Sequence, residues 1–129
     1  MHVREYPGMD KGQIYDGISR FVARSFRDAH QVIQLDDRGR GTMIVKGILP
    51  TDESYSPFGG AQLWVKSTLT IDVRDGRARY SYDNVEAYSK DSRLPGWDSA
   101  SKFQRAAERA FVLLEADIEK SLTAKTDNW

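Results

Sequence analysis

The chain has no cysteine, which removes disulfides, thiolate metal sites and thiol catalysis together and leaves the redox compartment undetermined. Histidine is scarce too, at two residues, His2 and His30. Neither stands in an H-x-x-x-H or H-E-x-x-H spacing, so no metal site is expected, and nothing in the chain implies a cofactor. Charge of one sign is also lacking. The 19 basic and 19 acidic side chains cancel, which argues against a dominant electrostatic attraction to nucleic acid or an anionic membrane. No apolar run approaches the roughly 20 residues of a membrane span, and the opening segment Met1 to Pro7 has no signal-peptide apolar core. The expectation is a soluble chain, with a periplasmic or envelope-anchored location open if a signal sequence has been removed. Gly39, Gly41, Gly59 and Gly60 fall in no phosphate-binding spacing, and G-x-S-x-G is absent.

What is present is a long hairpin. Leu63, Val65, Leu69, Ile71 and Val73 alternate with polar residues up to Asp75-Gly76, the pair favoured in a two-residue type I′ turn, where both residues take positive φ. With those two as the loop, Arg74 opposes Arg77 and each cross-strand pair sums to the same number. Val73 with Ala78, Ile71 with Tyr80 and Leu69 with Tyr82 then share a buried face. Asp72 with Arg79, Thr70 with Ser81, Thr68 with Asp83 and Lys66 with Val85 share the other, with Trp64 at its far end.

The remaining chain divides around this hairpin. Val3 to Tyr6 reads as a short strand ended by Pro7-Gly8, and Asp10 as the N-cap of a helix whose stripe is Ile14, Ile18, Phe21, Val22 and Phe26. Gly17 weakens that helix by about 1 kcal/mol relative to alanine and marks close packing against the sheet. His30 to Leu35 and Thr42 to Leu49 read as strands about a turn at Asp36 to Gly41. Pro50 to Gly60 and Tyr88 to Asp98 read as loops. A last helix runs from about Ser99 to Ala124, capped by Asp98 or Ser99, with Phe103, Ala107, Ala110, Leu114 and Ile118 on one stripe. Thr126 to Trp129 reads as a frayed tail.

The order β-α-β-β-β-β-α predicts an α+β fold: one antiparallel sheet with both helices packed on the face that carries Leu69, Ile71, Val73, Tyr80 and Tyr82. At 129 residues, a single domain spanning 1–129 is expected.

Particular stretches strengthen this reading. Ile14-Tyr15, Phe21 and Phe26, Val32-Ile33-Gln34, Asp36-Asp37 before Gly41, Lys46-Gly47, and Ile71-Asp-Val-Arg-Asp-Gly-Arg-Ala-Arg79 with Asn84 resemble the bacterial family DUF4468, a domain of unknown function with a TBP-like (TATA-binding-protein-like) fold. The resemblance covers roughly Tyr6 to Val85, with Phe21 where the family pattern has tryptophan. It implies a curved antiparallel sheet backed by two helices, and no chemistry. It also implies kinship with proteins that are often exported or lipid-anchored.

Function classes separate on what the residues can support. No nucleophile stands with a matched base, so an enzyme is not expected. Arg74, Arg77 and Arg79 with Lys66 suit a nucleic-acid-binding saddle, but Asp72 is placed to pair Arg79 and Asp83 lies farther along the same face. The meander instead brings the two long loops to one end, opposite Asp75-Gly76. There Tyr55, Phe58, Tyr88, Arg93 and Trp97, with Trp64 on the adjoining strand, form the expected binding site. The resulting expectation is a non-catalytic module that recognises a protein, a peptide or an apolar envelope ligand. A nucleic-acid saddle and a small enzyme without a recognisable motif are the alternatives.

Overall fold

Asp75 and Gly76 join two 13-residue strands in the computed structural model, which describes residues 1–25, 32–54, 61–89 and 92–124. In chain order the elements are β1 (His2–Glu5), α1 (Lys11–Ser25), β2 (Val32–Asp37), β3 (Thr42–Ser54), β4 (Gln62–Arg74), β5 (Arg77–Ser89), β6 (Ser92–Arg93), one 3-10 turn (Pro95–Trp97) and α2 (Ser101–Thr123). The sheet is antiparallel, in the order β1-β5-β4-β3-β2, and β6 pairs with the far end of β5. The expected order is therefore present, with the two-residue β6 added.

The turn itself differs from expectation. Gly76 has φ 76°, but Asp75 is not at positive φ, so one left-handed residue serves, as in type II rather than type I′. Contacts with the β1–α1 connection hold it: the Lys11 amide donates to Asp75 Oδ1 at 2.8 Å, the Gly76 amide to the Met9 carbonyl at 2.8 Å, and the Tyr6 amide to the Gly76 carbonyl at 2.7 Å.

From the turn, the expected register runs unbroken from Arg74↔Arg77 to Thr68↔Asp83 and then slips by one residue. Lys66 faces Glu86, not Val85, because β5 carries an extra residue where Asn84 takes φ 53°. Asparagine tolerates that conformation better than most residues. The slip has a reason in the core. With an unbroken register Glu86 would oppose Val65 on the buried face, whereas the bulge places Ala87 there, closed to solvent.

Both helices cover the face carrying Leu69, Ile71, Val73 and Tyr80, with Tyr82 half-buried beside them. Ile14, Ile18 and Val22 of α1 and Leu114 and Ile118 of α2 complete one core; Leu63, Val65, Ala87, Phe103, Ala107 and Phe111 form a second. Leu49 and Tyr82 touch both. Asp10 caps α1 reciprocally with Gln13, at 2.8 and 2.9 Å. Gly17 does mark a close approach, but to α2: a Cβ there would lie 2.0 Å from Leu122 Cδ2.

Three further expectations are corrected. Asp36 and Asp37 belong to β2, so the turn to β3 is shorter. Pro50 to Ser54 extend β3 instead of opening a loop, with Pro50 opposite Trp64 and Ser54 opposite Gln62. Among the described residues the β2 pairing ends at Lys46, so Pro50 has no strand partner on the other side of β3, a position where a strand proline is tolerated. Neither Asp98 nor Ser99 caps α2. Its N-cap is Ala100, without a side-chain bond, while Asp98 accepts the Ala87 amide at 2.8 Å.

Candidate functional site

Register decides which of the expected binding residues meet. Trp64 opposes Tyr88, and Tyr88 opposes Arg93, so these three form a row across β4, β5 and β6 on the face away from the helices. Lys66 Nζ lies 5.3 Å from the centre of the Tyr88 ring, within cation–π range. Arg93 is occupied by Glu86 at 3.1 Å and Asp98 at 2.6 Å, which fastens β6 to the chain that follows it. Trp97 does not join the row. It packs on the Leu63, Val65, Phe103 core, on the helix side of the sheet. Tyr55 and Phe58 lie outside the described residues, as does His30.

A different feature stands along β5. Its edge is covered by β1 from Arg77 to Tyr80 and by β6 at Tyr88 and Ser89. Between them, the segment from Ser81 to Glu86 has no strand partner on that side among the described residues. Below this gap, on the helix side, lies a groove of about 380 Å³ bounded by Tyr82, Val85, Phe103, Ala107 and Phe111, with Glu108 on its α2 side. Tyr82 and Phe111 stack with ring centres 3.8 Å apart, so the groove has a rigid aromatic wall.

That wall is anchored from below. Glu115 of α2 is fully buried, and its carboxylate accepts from Arg4 Nε at 3.0 Å, Tyr82 Oη at 2.7 Å and His2 Nδ1. The other His2 nitrogen faces Glu108 at 2.7 Å. Alternation along β1 places His2 and Arg4 on one face, opposite Tyr80 and Ala78. Burial, and then the bond to Glu115, push the Tyr82 phenol well above its ordinary range. Beside this clasp Tyr6 and Tyr80 share a buried hydroxyl–hydroxyl bond of 2.8 Å, and burial raises both phenols.

None of His2, Glu115, Val85 or Phe111 figures among the residues expected to bind. One signal was available in Glu115, a carboxylate on the helical stripe between Phe111 and Ile118. The stretch of β5 edge between β1 and β6 had none, since it depends on which part of β5 each of them pairs with. Among the described residues no group of three or more histidine or carboxylate side chains is placed to hold a metal, and no helix is long and apolar enough to cross a membrane.

Comparison with known proteins bears on the fold. The family described as a domain of unknown function (DUF4468) with TBP-like fold matches residues 2–88. A crystal structure of a DUF4468 family protein from Bacteroides ovatus is similar at TM-score 0.65 and 15% identity, over 99% of this chain and 86% of that one. A TBP-like protein from Parabacteroides distasonis is similar at TM-score 0.65 and 15% identity, over 95% of this chain and 90% of that one. No curated protein matches.

Proposed function

The chain belongs to the DUF4468 family with TBP-like fold, and from its sheet we propose that it is a non-catalytic binding module that takes an extended segment of a partner protein along β5. The observation that carries this reading is the β5 edge from Ser81 to Glu86, which has no strand partner on that side among the described residues and lies between the stretches paired by β1 and β6, above an aromatic groove. A strand edge with unpaired amides and carbonyls is a template for another strand, and folded proteins ordinarily cover or blunt it. Here a partner segment continuing the line of β1 gains main-chain bonds from the edge, and every second side chain meets the groove. The preferred segment carries an apolar residue at the position facing Val85 and Phe103. Glu115 supports the reading as a structural clasp: its oxygens are taken up by three donors, which leaves it poorly suited to accept a substrate proton.

The test is selection from a displayed library of short linear peptides, followed by calorimetry and hydrogen exchange. Enriched peptides are expected to alternate apolar and polar residues and to slow exchange at the Ser81 to Glu86 amides. Val85→Lys, at a half-exposed edge position, is expected to weaken them by about tenfold or more, because an ammonium would enter an apolar groove. Peptides that bind with protection elsewhere, or that ignore Val85→Lys, would defeat the proposal, as would failure to enrich any.

A further inference from the structure

The opposite end of the sheet, beside the Asp75-Gly76 turn, carries an excess of positive charge that the fold does not use. The Val73 amide donates to the Gly41 carbonyl at 2.7 Å and Thr42 opposes Asp72, so Arg40 follows on beside Arg74. Arg74 in turn directly opposes Arg77. Three arginines thus stand at one level on neighbouring chain segments, about 5 Å apart in backbone spacing. Each is exposed, and none has an ion pair among the described residues. Like charges directly opposite one another in a sheet destabilise it, so this arrangement works against the fold.

The neighbouring carboxylates offset it only in part, because Asp72 and Asp75 share the cleft with Arg40, Arg74, Arg77, Arg79 and Lys11. Asp72 is taken by Thr42 Oγ1 at 3.0 Å and by Arg79 at 3.1 Å. Asp75 is taken by the Lys11 amide at 2.8 Å, and Lys11 Nζ reaches the Gly39 carbonyl at 2.6 Å. Glu5 stands opposite Arg77 on β1 but makes no ion pair among the described residues. Arg40, Arg74, Arg77 and Arg79, with Lys11, Asp72 and Asp75, border a cleft of about 600 Å³, with Val3, half exposed, on one side. That is the size of a small-molecule site.

We propose that this cleft binds a small phosphorylated molecule carrying two or more negative charges, held by Arg40, Arg74 and Arg77. Guanidinium groups match phosphate oxygens in bidentate geometry. Several anionic groups on one ligand would replace the mutual repulsion of three cations with attraction, while Val3 offers an apolar surface for the rest of the molecule. This site lies at the other end of β5 from the peptide groove and stands or falls separately from it.

Titration of the amide NMR spectrum with inorganic phosphate, pyrophosphate and tripolyphosphate in about 0.1 M salt tests the proposal. Saturable shifts are expected at residues 40–41 and 72–79, with affinity rising about tenfold or more from phosphate to tripolyphosphate. Arg74→Gln combined with Arg77→Gln is expected to weaken tripolyphosphate by about tenfold or more without lowering the melting temperature, since the substitution removes a repulsion. Arg40→Gln, placed in the turn and outside the strand pair, should weaken it as well. The proposal is overturned by shifts that do not saturate by about 10 mM or that scatter over other basic residues. It is equally overturned by undiminished binding in the variants, or by a single-stranded oligonucleotide that occupies this face more tightly than tripolyphosphate.

Discussion

Glu115 lies on the apolar stripe of α2, four residues from Phe111 and three from Ile118, with its side chain closed to solvent. A buried carboxylate is tolerable only when paired and fully hydrogen-bonded. Its donors come from β1 and β5, so this one residue ties the edge strand and the peptide groove to the helix layer. Glu115→Gln keeps the shape but leaves the Arg4 guanidinium without its buried counter-charge. We expect a loss of about 3 kcal/mol in urea unfolding. His2→Ala, which leaves Arg4 and Tyr82 in place, should cost about 1 kcal/mol. Equal losses for the two variants would show that the carboxylate is not the centre of the cluster.

At the scale of the element, the bulge in β5 governs which residues face the core. Asn84 at φ 53° absorbs one residue, and from there on the odd-numbered Ala87 takes the buried position that an unbroken strand would give to Glu86. Glycine occupies that conformation freely and β-branched residues strongly resist it. Asn84→Gly should therefore unfold within about 0.5 kcal/mol of the parent. Asn84→Val should lose about 1–2 kcal/mol, and it should also disturb the amide shifts of Val85 to Tyr88. If valine is accepted without cost, the bulge is not what sets the register.

At the scale of the whole molecule, four phenols among the described residues are held neutral. Burial raises Tyr6, Tyr80 and Tyr82, and Tyr15 is raised first by burial and then by its bond to Asp36. Ordinary phenols ionise near pH 10. Below that range both folded and unfolded chains keep these protons, so stability does not change on their account. Above it the unfolded chain releases protons that the folded chain retains, and the free energy of unfolding falls as pH rises. The phenolate absorbance of the native protein should accordingly lag, with a late step that coincides with the loss of far-ultraviolet circular dichroism. A smooth titration of all six tyrosines near pH 10 with the fold intact would contradict this placement of the hydroxyls.

Period-two alternation from Leu63 to Val73, helical spacing from Ile14 to Val22 and from Phe103 to Ile118, and Asp75-Gly76 between two strands were enough to establish the element order, the buried face and the register down to Thr68↔Asp83. These are local signals, because a strand or helix faces the core with the periodicity of its own backbone. Asp10 was legible as a cap for the same reason, whereas its reciprocal bond with Gln13 came from the structure. The turn type, the slip at Asn84, the approach of Gly17 to Leu122 and the separation of Trp97 from Trp64 were not, since each is settled by a distant segment: Met9 and Lys11 against the turn, Val65 against Ala87, α2 against α1. The two proposed sites follow the same division. The basic residues Arg74 and Arg77 are visible as neighbours of a turn, whereas the pairing of β1 with Arg77 to Tyr80 and of β6 with Tyr88 and Ser89, which frames the β5 edge between them, is a matter of tertiary structure that no local pattern encodes.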